Sequence, residues 1–582
     1  MFDGRPCSVT EPVPYRGRRG RTDTAIELHE TVHPARWCIT FSDLKFFQSE
    51  VRRVIQDGLT FQEDFEASYG PSMYVVNEHY IKPVTEAAGK MSWALMMNPH
   101  GLDCDLFITH AWQEDVFEFT DKVLTSWPCR ARHAWCCMLA NPQNLDIGAL
   151  LQSPSMSPFA LALQSSKYML VVPNRHKSVY TRLWCGYEAY LAFQSNKIIR
   201  TASPSIWREV LFSWLRMFPA LLIGLSIGAV SRVGQLDLFL QFALTMRMIA
   251  LFASLVSQHC GQMRLCLVAN HVGLASTSAA FVTSGTLKKQ FQFLPLPGWT
   301  TYVVVNFQRI CIWLYFLLAE VDRVNCQTEM EEAEALQKQY QGSIRHASCS
   351  EVRDEENIRH EIGDQVDEVD QVIQVLLKAG MTSDALRAAY LQGVELRHAG
   401  FVQVAIPVLV LGPLLLLGCG LLGQYFVVLH ETGHPLAEVY TLWASIQFTS
   451  ILARLAFLCL FVRRSIDERC FMLNVMAKIV TVFYFCLVEL SSLGSFSELN
   501  TVPFIVYSLS FLVVLFFAVL GIRGTLKLPG GRQLAQFFLS RLVVSGNWRL
   551  SRTELESSPE CSEVFSQSTG DASDSSGSDS SS

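Results

Sequence analysis

Residues 104–109 read Cys-Asp-Leu-Phe-Ile-Thr, and the fold of the first third of the chain turns on them. The run is short, apolar and bounded by polar residues, the pattern of a strand buried on both faces. Beyond it, 114–127 places Val116, Phe117, Phe119, Val123 and Leu124 on the inner side of a helix. Residues 134–140 (Ala-Trp-Cys-Cys-Met-Leu-Ala) predict a second buried strand, and 168–173 (Tyr-Met-Leu-Val-Val-Pro) a third. Short helices are expected over 144–151 and 159–165, a longer one over 180–194, and a fourth strand over 198–202. Upstream, Leu44, Phe47, Val51, Val54 and Ile55 share one face of a helix over 41–58. Strands alternating with helices imply an α/β unit: a small parallel sheet with helices on both faces. Sites in such sheets lie beyond the carboxyl ends of the strands.

The rest of the chain is of another kind. Of 582 residues, 50% are hydrophobic and 17% charged, the net charge is −6 and the mean hydropathy is +0.23. A soluble chain averages about a quarter charged residues. These figures exclude an ordinary soluble protein, a disordered one and a nucleic-acid binder with a basic surface. The apolar excess is concentrated after residue 207. Runs long enough to cross a bilayer, roughly 20 residues each, cover 211–230, 236–256, 265–286, 302–320, 401–423, 436–462, 472–490 and 503–522. The Ser- and Thr-rich third is the weakest. The expected fold class is therefore an α/β N-terminal module followed by an all-α polytopic membrane domain of about eight helices with a cytosolic helical insert.

The expected partition is a disordered basic N-terminus over 1–35, a cytosolic module over 36–205 and a first transmembrane cluster over 207–321. A cytosolic helical insert over 322–400 and a second transmembrane cluster over 401–523 follow. An amphipathic helix (532–544) and a disordered, Ser-rich acidic tail complete 524–582. Arg463, Arg464 and Arg469 follow the sixth run, and Arg523, Lys527, Arg532, Arg541 and Arg549 follow the eighth. The positive-inside rule then puts both termini in the cytosol, with Lys288 and Lys289 on the wrong side. The 17 cysteines show no Cys-x-x-Cys pair and no zinc spacing, so no metal is expected.

Residues 104–115 (Cys-Asp-Leu-Phe-Ile-Thr-His-Ala-Trp-Gln-Glu-Asp) resemble the first motif of TIR domains, the Toll/interleukin-receptor modules. Residues 159–173 are similar to the TIR helix and strand that precede the active-site helix. Residues 180–188 (Tyr-Thr-Arg-Leu-Trp-Cys-Gly-Tyr-Glu) resemble the TIR Ser-x-Trp-Cys-x-x-Glu element. With 76–85, the set looks like a TIR-related module of protist proteins, often joined to membrane spans, and covers roughly 70–202. The resemblance implies a flavodoxin/TIR-like sheet, NAD as a substrate and Glu188 as the catalytic residue. A carboxylate can stabilise the oxocarbenium-like centre left as nicotinamide departs. Around it, Thr109 and His110 at a strand end, stacking faces from Trp112 and Trp184, and Arg182 for a pyrophosphate make the candidate substrate site. The segment after the second strand, Asn141-Pro142-Gln143, is shorter than the TIR loop there, and the membrane begins near 207. A non-catalytic assembly or binding module is the other reading.

Three further features stand outside that module. Ile358, Ile362, Val366, Val369, Ile373 and Leu376 recur at alternating four and three, a heptad stripe ending at Gly380. It suits either a helical hairpin packed on itself or on the first module, or a self-associating coiled coil. His430-Glu431-Thr432-Gly433-His434 matches the zinc-protease pattern, but Pro435 would break the required helix, so a non-cytosolic loop is expected. Arg247, Arg309, Arg454, Lys478 and Glu489 are charges inside apolar runs, which read as interhelical pairs or as an ion path. The functional expectation is a multi-pass membrane protein displaying a cytosolic TIR-like module for signalling or assembly, with NAD cleavage through Glu188 as its enzymatic form. The alternative is a channel or transporter whose module is a regulatory accessory. The expected partners are the lipid bilayer and further copies of the chain, with no nucleic acid and no cofactor.

Overall fold

The computed structural model describes residues 22–58, 65–145, 148, 153–233, 237–259, 262–283, 298–349, 351–396, 404–405, 448, 452, 454–461, 470–479 and 502–539. Six strands form one sheet: β1 (Ile39–Thr40), β2 (Leu106–Thr109), β3 (His133–Cys136), β4 (Tyr168–Val171), β5 (Ile198–Thr201) and β6 (Met381–Thr382). Their spatial order is β1-β3-β2-β4-β5-β6. The four strands expected from sequence are the four central ones, all parallel, with Phe107 opposite Trp135 and Met169, and Met169 opposite Ile199. Their order is that of one class of doubly wound α/β sheets. Every residue of β2 and β4 is buried, which is why these strands read as unbroken apolar runs. The second expected strand is shorter than its apolar run: after Cys136 the chain turns into the short helix Cys137–Ala140.

Both edges are antiparallel, with Ile39 opposite Ala134 and Ile199 opposite Thr382. Each edge strand has two residues, too few for alternation to register in the sequence. Thr40 then starts the helix Phe41–Gln56 through a capping box: its hydroxyl accepts from Asp43 N at 3.1 Å and Asp43 Oδ2 accepts from Thr40 N at 2.9 Å. Leu44, Phe47, Val51 and Val54 of that helix are buried. Residues 1–21 lie outside the described residues, whereas Thr22–Thr31 is helical where the sequence suggests disorder.

The insert completes the module. The heptad stripe is split between two helices, Val352–Ile362 and Val366–Ala379, at Gly363, whose φ of +52° a side chain would resist. Ile358, Ile362, Val369, Ile373 and Leu376 are buried in the same core as the sheet, where both helices pack on Leu183–Gln194. The stripe therefore faces inward, and the coiled-coil reading is corrected to a hairpin on the first module. Gly380, at φ +68°, ends the second helix. Ser383 rather than Thr382 caps the next, Asp384–Leu391, while Thr382 belongs to β6.

Among the described residues, four helices are long and apolar enough to cross a membrane, not eight: Trp207–Val233, Leu238–Gln258, Met263–Thr283 and Leu509–Leu526. The expected span 302–320 lies within the 40-residue helix Gly298–Gln337, which runs on into the insert and is not one of the four. Of the expected spans 401–423, 436–462 and 472–490, only fragments are described, including the ten-residue apolar helix Cys470–Ile479. The Ser- and Thr-rich third run does form a helix. Ser276, Thr277 and Ser278 each donate to the carbonyl four residues back at 2.7 Å, which satisfies hydroxyls that an apolar setting would otherwise penalise. Gly224 and Gly228 let Trp207–Val233 approach Met263–Thr283: a Cβ at Gly224 would lie 2.2 Å from Ala275 O. The amphipathic helix is Gly531–Leu539, with Ala535, Phe538 and Leu539 buried in the helical core. Part of its apolar face is thus covered by protein, while Phe537 stays exposed.

Candidate functional site

Thr109 ends β2, and His110 follows at the carboxyl edge of the sheet. His110 is buried, with Nδ1 2.6 Å from Glu114 Oε1 and Nε2 3.1 Å from Cys137 Sγ. Cys137 comes directly after β3, the strand beside β2, so parallel pairing brings the two side chains together. The His110 ring packs on Phe119, with centroids 4.8 Å apart, and lies 6.5 Å from the Trp112 ring in near-parallel alignment. Trp112 in turn meets Tyr74, whose hydroxyl accepts from Arg182 Nη1 at 3.4 Å.

Glu188 reaches the same region from the helix Leu183–Gln194. It is buried, and burial pushes its carboxyl up to about 8, against the pull of Thr109 and Arg182. Neither Thr109 Oγ1 nor Glu188 Oε2 completes a hydrogen bond of ordinary geometry among the described residues. Cys185, one turn before Glu188, donates from Sγ to His110 O at 3.7 Å, and burial raises its thiol far above the usual range. Tyr180 is buried with its hydroxyl unpaired among the described residues, and it is raised by burial and then by Cys185, Tyr340 and Glu188.

The fold thus gathers Thr109, His110, Trp112, Arg182 and Glu188 around the ends of β2 and β4. Trp184 is engaged elsewhere: one face stacks on Phe159 at 5.2 Å, and its indole N–H donates to Asp354 of the insert at 3.1 Å. The insert also covers the start of the Glu188 helix, where Leu183 N donates to Ser348 O and Ser348 N to Thr181 O. A pocket of about 220 Å³ opens beside this contact, lined by Lys177, Tyr180, Tyr340 and His346 among others.

Of the charges inside the expected apolar runs, Arg247 is half-buried on Asp237–His259, and Arg309 lies on Gly298–Gln337. Arg454 is buried with its guanidinium 5.3 Å from the Phe511 ring centroid, and Lys478 donates to Phe537 O. Glu489 and 430–434 lie outside the described residues. Sequence reasoning missed a different centre. Glu320 is fully buried and accepts from Ser213 Oγ, from Asn270 Nδ2 at 3.1 Å and from Arg323 Nε at 2.8 Å. Asn270 Oδ1 accepts from Ser254 Oγ at 2.6 Å, so four helices meet at one polar node. Its signal in the sequence was a carboxylate at the last position of an apolar run, with Arg323 three residues on. Among the described residues no group of three His, Cys, Asp or Glu is placed to hold a metal ion. No protein family, curated protein or solved structure matches the chain.

Proposed function

We propose that this is a multi-pass membrane protein whose cytosolic TIR-like module works in signalling or assembly, with NAD cleavage through Glu188 as its enzymatic form. The observation that carries this reading is the position of Glu188: a buried carboxyl at the carboxyl edge of a parallel sheet, held at about 8 beside Thr109 and Arg182. A group tuned close to neutral pH is what stabilising a departing nicotinamide calls for. The insert lies across the start of its helix, so the chain itself controls access. Because β6 and both insert helices complete the module, the test requires the full chain. In nanodiscs with NAD, it should release nicotinamide, more so when Asp354→Ala frees Trp184, and Glu188→Gln should abolish release. Absence of release from both proteins, or undiminished release from Glu188→Gln, overturns the reading.

The second reading is a channel or transporter with the module as its regulatory accessory. It rests on the four-helix polar node at Glu320, a fully buried carboxyl at the end of an apolar run, since ionisable groups buried among apolar helices mark transport paths. Ion flux into liposomes that Glu320→Gln suppresses would favour it; flux indifferent to that change would count against it.

A further inference from the structure

Cys137, His110 and Glu114 stand in a line: Sγ to Nε2 at 3.1 Å, then Nδ1 to the carboxylate at 2.6 Å. A thiol, a base within hydrogen-bonding reach and a third group that orients the base are the parts of a nucleophilic centre. They sit at the carboxyl ends of two adjacent parallel strands, where α/β sheets place their chemistry. Glu114 is wholly buried, and although its Oε1 lies close to His110 Nδ1, neither carboxyl oxygen nor Nδ1 completes a hydrogen bond of ordinary geometry among the described residues. A core that needed only packing would not leave a buried carboxyl without a well-formed hydrogen bond. Arg182 lies near enough to Cys137 and Cys185 for its charge to act on both thiols.

From this geometry we infer that Cys137 is a nucleophile that takes a small acyl group from an ester or thioester, with His110 as its base and Glu114 as the residue that positions His110. Sγ adds to the acyl carbonyl while its proton passes to His110 Nε2. The tetrahedral adduct, its oxyanion facing the Arg182 charge, breaks its bond to the alkoxide or thiolate. That leaving group takes the proton from His110 and departs as alcohol or thiol, leaving an acyl thioester on Cys137. Water, losing its proton to the same His110 nitrogen, then releases the acid and restores the thiol. Cys137 is only 9% exposed and half-buried Arg182 lies near it, so the acyl group must be small. Burial holds the Glu114 carboxyl well above the usual range, with Glu118 and Asp115 adding to the rise and Lys122 and Arg182 opposing it. Acylation should therefore accelerate as pH rises and Glu114 ionises. The centre uses neither Glu188 nor NAD, so it stands or falls separately from the reading above.

The test is p-nitrophenyl acetate with the full chain in nanodiscs, following p-nitrophenolate release and the acetylated peptide by mass. Acetyl should appear on Cys137, and His110→Gln should slow its appearance by at least about 100-fold, the usual worth of a general base. Glu114→Gln should flatten the pH profile, an effect that a purely structural role would not produce. Should a variant fail to fold, the wild-type protein decides by itself: Cys137 should label at least ten times faster than Cys185, a neighbouring buried thiol whose sulfur meets the His110 carbonyl and not its ring. Equal labelling of the two, acetylation confined to exposed Cys129, or a rate unchanged in His110→Gln overturns the proposal.

Discussion

Lys122 ties the module to the 40-residue helix Gly298–Gln337, and replacing it with Met should loosen that joint severely. Its ammonium donates to Glu118 at 2.9 Å, to Pro173 O at 2.8 Å and to Glu332 at 2.6 Å. The side chains are 5%, 8% and 10% exposed for Lys122, Glu118 and Glu332, so water cannot replace the lost donor. Burial alone would lower the Lys122 ammonium, yet Glu332 and Glu118 together hold it above its ordinary value. Methionine keeps the apolar stem but strands two buried carboxylates. Removing one partner of a buried pair costs about 3–5 kcal/mol, or between roughly two and four powers of ten in an opening equilibrium. Hydrogen exchange of the full chain in nanodiscs reads this directly, through the amides of Val116–Ser126 and of the helix carrying Glu332. Adding Glu332→Gln should recover part of the loss, since one stranded charge is then gone. Exchange in Lys122→Met within tenfold of wild type, or losses that simply add in the double variant, would show that the pair does not hold the joint.

Three further outcomes follow from the same packing. Glu188 binds its proton more tightly folded than unfolded, so it contributes stability that is full below about 4.5 and declines as pH rises to about 8; thermal melts of Glu188→Gln should lack that decline. Ile373→Ala should destabilise the module by about 2–5 kcal/mol in urea unfolding while leaving the oligomeric state unchanged, because the stripe lies in its core; dissociation of an oligomer would instead restore the coiled-coil reading. Gly224→Val should lower the melting temperature of the solubilised protein more than Gly342→Val does, since a Cβ at Gly224 runs into Ala275 backbone whereas one at Gly342 meets nothing within 4 Å, although its φ of +87° adds local strain.

The central sheet was legible because each of its strands is buried on both faces and so appears as an apolar run between turn signals. The edge strands were not: two residues carry no periodicity, and β6 lies some 180 residues from its partner, beyond the first long apolar helices. Four of the eight expected apolar spans form helices long and apolar enough to cross a membrane among the described residues, and these were legible by length and hydropathy. The heptad stripe shows the opposite case, since an inward-facing helix and a self-pairing one carry the same spacing. Trp184 was read as a stacking face from its place in a motif, whereas Asp354, 170 residues away, determines where its indole points.

What the sequence by itself determined is local: where the four central strands lie, that several segments are long apolar helices, and that Glu188 lies on the helix between the third and fourth of those strands. Those features depend on residues within a turn or two of each other. The tertiary structure alone decided that the insert closes the sheet, that Glu320 gathers four helices, and that Cys137 faces His110. Each of these depends on which distant surfaces are driven together to bury apolar area, and hydrophobic burial is non-directional, so no local pattern records its partner.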